Sequence, residues 1–116
     1  LKMFVIMDAR DNSVTLSNLL CERMKVWERT TMKVMVFYER EAKEYGFCVN
    51  PALDVETQMA DVQYNAKYKC VGFESLVPTV TRIFYDYGID KDVVRLSVEE
   101  RKACDMTYWS IRRPNR

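Results

Sequence analysis

The most distinctive local arrangement in the sequence is a pair of aromatic residues, Tyr45 and Phe47, separated by Gly46 and preceded by Lys43. Alternate residues of a β-strand point to the same face of a sheet, so a strand here would place both rings side by side. An exposed pair of rings beside a basic side chain forms a platform on which flat ligands such as nucleic-acid bases stack. A buried pair would instead be ordinary core packing, and these residues alone are compatible with either arrangement.

A second candidate surface lies near the C-terminus, where Tyr108 and Trp109 precede Arg112 and Arg113. Aromatic residues and arginine are enriched at the centres of protein–protein interfaces, because they combine a large contact area with directional hydrogen bonds. The cluster therefore predicts a partner-binding surface formed by these four residues. In the alternative arrangement, Trp109 folds back onto the core of its own domain.

The sequence lacks the residues on which most catalytic and metal sites depend. It contains no histidine, which removes the commonest general base and the Ser–His and Cys–His nucleophile pairs. Its four cysteines include no Cys-x-x-Cys pair for zinc, and its three glycines are too far apart for a phosphate-binding loop. Acidic pairs such as Asp90 and Asp92 are more simply the solvated ends of a strand. We therefore expect a protein that is not an enzyme and holds neither metal nor cofactor.

Length and composition predict one globular domain over residues 1–116. The chain is 48% hydrophobic and 30% charged, with a formal net charge of +1. No uncharged apolar run exceeds five residues, the length of the run from Met3 to Met7, and this is far too short to cross a bilayer. The balanced charge also lacks the basic excess that is typical of proteins binding duplex nucleic acid through many phosphates.

The cysteines and the first residue bear on where the protein is found. The cysteines have apolar neighbours, as in Phe47-Cys48-Val49, and the sequence contains no Asn-x-Ser/Thr glycosylation site. This pattern predicts free, buried thiols in a reducing, intracellular compartment. The chain begins at Leu1 rather than Met, so we expect a fragment or a processed product from which any targeting segment is already gone.

Hydrophobic periodicity predicts interleaved strands and helices. Strands are predicted at residues 2–8, 30–39, 45–49, 68–74 and 92–98, a short strand or helix at 106–111, and helices at about 17–28, 52–66 and 75–87. An early hairpin turning at Asp11 and Asn12 is also compatible with the pattern. Pro51 suits the first turn of a helix, and Gly88 suits the end of one. This order predicts an α+β fold, a two-layer sandwich with helices on one face of a mostly antiparallel sheet.

Two stretches resemble the signatures of the RNA-recognition motif (RRM) family. Met3-Phe4-Val5-Ile6 resembles the short motif of its first strand, and the stretch from Lys43 to Asn50 resembles the longer motif of its third strand, with Glu44 in place of a glycine. The element order over residues 2–74 is also that of the RRM plait. The resemblance implies an open sheet face on which Phe4, Lys43, Tyr45 and Phe47 bind single-stranded RNA.

A β-grasp, ubiquitin-like fold is the alternative within the same fold class. Residues 30–50 would be its hairpin, 52–66 its helix and 92–98 its closing strand, which accounts for the C-terminal third better than the plait does. Such a fold points to protein–protein contact. Because the charge balance offers no electrostatic footprint for phosphate, we expect a non-enzymatic protein-interaction module or a subunit of a larger assembly, with RRM-like RNA binding as the alternative.

Overall fold

The computed structural model describes residues 1–28, 31–51 and 58–114. Within these ranges the chain forms nine β-strands, two short α-helices and a 3-10 turn at Val26–Glu28. The elements are, in chain order, β1 (Phe4–Asp8), β2 (Ser13–Leu16), α1 (Asn18–Met24), β3 (Lys33–Glu39), β4 (Glu44–Val49), β5 (Met59–Asp61), β6 (Gln63–Asn65), β7 (Cys70–Glu74), α2 (Val80–Tyr87), β8 (Val93–Ala103) and β9 (Met106–Ile111).

All nine strands belong to one antiparallel sheet in the order β5-β3-β4-β9-β8-β1-β2-β7-β6. The two edge strands are consecutive in the chain, because only Val62 separates β5 from β6. β5 pairs with β3, and β6 pairs with β7. One bent segment therefore reaches both edges, and the sheet becomes nearly closed and barrel-like.

The core lies inside this curved sheet, because strand residues alternate between an inward and an outward face. Val5 of β1 lies opposite Leu96 of β8, and Phe47 of β4 lies opposite Trp109 of β9, with all four side chains buried. The intervening positions point outward, as Ile6 does. A single apolar interior thus joins strands from the beginning, middle and end of the chain.

The two helices lie at opposite ends of the sheet. α1 follows β2 and α2 follows β7, and these neighbouring strands run antiparallel, so their C-terminal ends point in opposite directions. Each helix starts at a side-chain cap: Ser17 accepts a hydrogen bond from the Leu20 N–H, and Thr79 from the Arg82 N–H. The buried helix positions are Leu20, Cys21 and Met24 in α1 and Val80, Ile83, Phe84 and Tyr87 in α2.

The predicted α+β sandwich is wrong, since the protein is a mostly β fold with a nearly closed sheet. The largest error concerns the helix predicted over residues 52–66. Residues 59–61 and 63–65 are strands, whereas residues 52–57 lie outside the described ranges. The spacing of Met59, Val62 and Ala66 suits a helix, but this segment pairs with β3 and β7, whose backbone edges would otherwise stay open.

The RRM-like plait and the β-grasp fold are corrected by the same finding. Both require a helix packed across one sheet face between residues 50 and 68, where the described residues form edge strands instead. The C-terminal third is also more β-rich than expected. β8 continues through the charged run from Glu99 to Lys102 and forms a hairpin with β9.

Several local predictions are confirmed. The first strand lies within residues 2–8, the chain turns back at Asp11 and Asn12 into β2, and residues 33–49 form a hairpin. The helix predicted to end at Gly88 does end there, with Gly88 at a φ of 68°. That helix begins at Val80, later than predicted, because Thr79 supplies the cap. No helix within the described ranges is long and apolar enough to cross a membrane.

Candidate functional site

The two aromatic residues singled out in the sequence, Tyr45 and Phe47, are core residues. Phe47 is 0% exposed and Tyr45 is 6% exposed. The Phe47 ring stacks on Trp109 with centroids 6.1 Å apart, and the Tyr45 ring lies 5.8 Å from that of Tyr87 in α2. Both rings therefore lie in the interior, Tyr45 beneath α2 and Phe47 against Trp109, and do not form an exposed platform.

The other residues of the RRM-like set lie elsewhere. Phe4 is on the outer face of β1, where the guanidinium of Arg95 stacks 3.6 Å from its ring centroid. Lys43 lies in the turn before β4, and its backbone carbonyl accepts a hydrogen bond from Arg113 at 2.6 Å. Tyr45 and Phe47 therefore lie together in the interior, whereas Phe4 lies on the outer face of the sheet. The three rings do not form a common surface.

In the C-terminal aromatic–arginine cluster, Tyr108 and Trp109 point to opposite faces of β9. Trp109 is buried in the core, which is the alternative that the sequence left open. Tyr108 is buried against the outer face, where its hydroxyl donates to Glu39 at 3.0 Å and its ring meets Phe37 edge-on at 5.5 Å. The rings of Tyr108 and Trp109 therefore both pack against the sheet of their own chain.

The arginines of this cluster bind a buried carboxylate, Glu44. Its oxygens accept hydrogen bonds from Ser110 at 3.3 Å, the Arg112 side chain at 3.1 Å and the Arg113 backbone N–H at 3.0 Å. The negative charge of Glu44 raises the pKa of Arg112, which also contacts Glu99. Glu44 thus fixes the segment that follows β9. It stands at the sequence position where the RRM family prefers glycine.

A second polar cluster attaches α2 to β4. The Tyr45 hydroxyl donates to the carboxylate of Asp86, which also pairs with Arg82 at 3.3 Å. The hydrogen bond from Tyr45 holds the pKa of Asp86 below its ordinary value, and burial raises the pKa of Tyr45. Arg113 donates to the backbone carbonyl of Asp86 at 2.7 Å. This cluster serves the fold, because each of its polar groups is used in an internal contact.

A concave surface lies where the sheet fails to close completely. A cavity of about 860 Å³ runs between β3 and β5 on one side and β2, β6 and β7 on the other, and it ends at the segment from Ser75 to Val77. We call it the seam groove. Its lining carries the carboxylates of Asp11, Asp61 and Glu74, and no described lysine or arginine.

Exposed apolar side chains lie at both ends of the seam groove. At one end, Trp27 is 64% exposed and Tyr64 is 56% exposed, and their rings meet edge-on at 6.5 Å. At the other end, Leu76 and Val77 are 61% and 54% exposed. Because Tyr64, Leu76 and Val77 all line the cavity, the apolar ends and the groove form one continuous surface.

None of these four apolar residues was a site prediction from the sequence. Trp27 falls at the end of the predicted first helix, where its spacing matches the apolar face. Tyr64 falls inside the predicted helix 52–66 but outside its apolar stripe. This position off the apolar face was the sign in the sequence that Tyr64 could be exposed. Their meeting could not be predicted, because it depends on β6 pairing with β7 beside the turn at Val26–Glu28.

The cysteines and the acidic side chains are dispersed in the described part of the chain. All four cysteines are free, and burial raises the pKa of the Cys21 thiol to about 11. In the described part of the chain, no three residues among His, Cys, Asp and Glu are grouped as metal ligands. Comparison with known proteins finds no match: no family model fits the chain, and neither a curated protein nor a solved structure is similar to it.

Proposed function

We propose that this chain is a non-enzymatic protein-binding module, and that its contact surface is the seam groove with its exposed apolar ends. The observation that carries the proposal is the Trp27–Tyr64 pair. Both rings are more than half exposed, they contact each other edge-on, and Tyr64 lines the seam groove. Tryptophan and tyrosine are the residues that most often dominate binding energy at protein interfaces.

The size of the hydrophobic gain supports a protein partner. Burying a large apolar side chain that is otherwise exposed stabilises a complex by about 1.5–3 kcal/mol. The groove offers four such side chains, Trp27, Tyr64, Leu76 and Val77, at two separate ends. A partner that covers both ends gains several kcal/mol, which counts against the loss of translational and rotational freedom on association. The partner is either a transient ligand or a neighbouring subunit of an assembly.

Site-specific photo-crosslinking tests this proposal. A benzoylphenylalanine would be placed at Tyr64, and in a separate variant at Met106 as a matched exposed control. Met106 is exposed and starts β9, which is separated from the groove-lining strand β3 by β4 and from the groove-lining strand β2 by β8 and β1. In extracts of the cells that make the protein, we expect position 64 to form discrete protein adducts and position 106 to form none.

Competition makes the result specific to the groove. Excess unlabelled wild-type chain should abolish the adducts, and excess Trp27→Ala chain should not. Equal adducts from both positions, or competition by Trp27→Ala as strong as by wild type, would contradict the proposal. Adducts that disappear on ribonuclease treatment would instead favour RNA binding, the alternative that the RRM resemblance implies.

A further inference from the structure

Resting on the proposed function, we propose that the seam groove binds an extended segment of a partner protein in which lysine or arginine alternates with apolar residues. The segment pairs with a free backbone edge in the groove as an added strand. Three features of the groove carry this inference: the unfilled strand edge, the acidic lining and the apolar floor.

The strand edge is provided by β7 beyond the end of β6. β6 pairs with β7 only along Cys70–Gly72, whereas β7 pairs with β2 as far as Glu74. Phe73 and Glu74 therefore have no strand partner on the groove side among the described residues. In an antiparallel sheet, successive residues direct their N–H and C=O groups to alternate sides, so one of these two residues offers both groups to the groove. An extended polypeptide is the ligand that satisfies such groups.

The acidic charge of the groove determines which side chains the bound polypeptide is expected to carry. Asp11, Asp61 and Glu74 are exposed, and no described ion pair within 4 Å involves any of them. Two cations lie close by, since Lys33 is opposite Asp61 in the β3–β5 pair and Arg10 precedes Asp11 in the chain. Neither of these two cations lines the groove itself, and no other described lysine or arginine does. The groove thus attracts cationic side chains and repels an acidic segment, which is how charge complementarity sets partner choice.

The floor of the groove explains the expected alternation. Val36 of β3 and Phe73 of β7 line the cavity together with the three carboxylates. Side chains of an extended segment point alternately to its two faces. Apolar side chains on one face therefore meet this floor, while basic side chains on the other face reach the carboxylates at the rim.

Selection from a random dodecapeptide library displayed on phage tests this inference on the whole chain. We expect the enriched peptides to show lysine or arginine at alternate positions with apolar residues between them, and to bind less tightly as salt is raised. Enriched peptides without an excess of basic residues, or no enrichment at all, would overturn the inference. If position-64 crosslinking to a protein persisted in that case, the proposed function would stand with a different partner chemistry.

Matched variants separate charge from backbone pairing. We expect the double variant Asp61→Asn/Glu74→Gln to bind the best synthetic peptide about tenfold or more weakly than the wild type. The control variant Glu22→Gln/Asp90→Asn removes the same charge outside the groove and should leave the affinity unchanged. Peptides N-methylated at odd or at even amides test the added strand, because only one set loses the paired N–H groups. Strand addition would be overturned if both methylated peptides bound as tightly as the parent peptide. Charge recognition would be overturned if both charge variants lost the same amount of affinity.

Discussion

The hydroxyl of Tyr87 accepts a hydrogen bond from the backbone N–H of Tyr45 at 2.6 Å and donates one to the carbonyl of Ile111 at 2.5 Å. Tyr45 and Ile111 lie opposite each other in β4 and β9, so this helix side chain is inserted between two paired strands. Burial raises the pKa of the Tyr87 hydroxyl, which keeps it protonated and able to donate. α2 thereby becomes part of the hydrogen-bonding of the sheet.

Tyr87→Phe removes this bridge while keeping the ring. We expect the free energy of unfolding to fall by about 1–3 kcal/mol, because a buried N–H and a buried carbonyl lose their partner. Urea unfolding followed by circular dichroism measures the change. Tyr85→Phe is the control, since Tyr85 is on the same helix but exposed, and it should change stability by no more than about 0.5 kcal/mol. Equal effects of the two variants would contradict the structural role of the bridge.

Glu44→Gln tests the buried carboxylate that holds the segment after β9. The amide keeps the shape but loses the charge that faces Arg112, and its NH₂ group cannot accept the bonds that one carboxylate oxygen accepts. We expect a loss of about 1–3 kcal/mol in unfolding free energy. Glu41→Gln, an exposed substitution in the turn between β3 and β4, should be nearly neutral. A neutral Glu44→Gln would show that Arg112 and Arg113 hold their places without this charge.

Asp86 should contribute an acid-sensitive part of the stability. Its pKa in the folded protein is lowered from the ordinary 3.8, so the folded state binds fewer protons than the unfolded state there. The stabilisation is therefore complete above the unfolded pKa and is lost as pH falls from about 4 through the lowered folded pKa. Asp86→Asn should flatten the dependence of unfolding free energy on pH in this window. A parallel pH profile for wild type and variant would contradict this contribution.

The four thiols should react in an order set by burial. Cys104 is exposed and Cys70 is half-buried, whereas Cys21 and Cys48 are buried with raised pKa values. Because the thiolate is the reactive form, N-ethylmaleimide should label Cys104 first, Cys70 next, and Cys21 and Cys48 only on unfolding. Peptide mass spectrometry gives the order. Rapid labelling of Cys21 in the folded protein would contradict the packing of α1 described above.

Local signals in the sequence were sufficient for individual elements. Gly88 marks the end of α2 because a positive φ is easily adopted by glycine, and the β-branched and aromatic residues of 33–39 favour a strand. These features depend on neighbours in the chain. They therefore predict the element correctly without knowledge of the rest of the molecule.

The closure of the sheet and the groove could not be predicted in the same way. Met59, Val62 and Ala66 have the spacing of an amphipathic helix, and only the open edges of β3 and β7 make them strand residues. The pair Tyr45 and Phe47 shows the same limit for function. Its spacing predicts a shared face, but whether that face meets solvent is decided by distant elements, since α2 covers Tyr45, and Phe73 of β7 and Trp109 of β9 pack against Phe47.

The pairing of β1 with β8 has a consequence for how this chain reaches its native state. Phe4 lies opposite Ser97, and Tyr45 lies opposite Ile111, so the sheet is held by contacts of high contact order. Such topologies fold in milliseconds to seconds, because the entropy of closing long loops is lost before the contacts form. β1 leaves the ribosome well before its partner β8, because β2 to β7 and both helices lie between them in the chain. One side of β1 therefore stays unpaired until β8 has been made, and an unpaired strand edge is prone to aggregation.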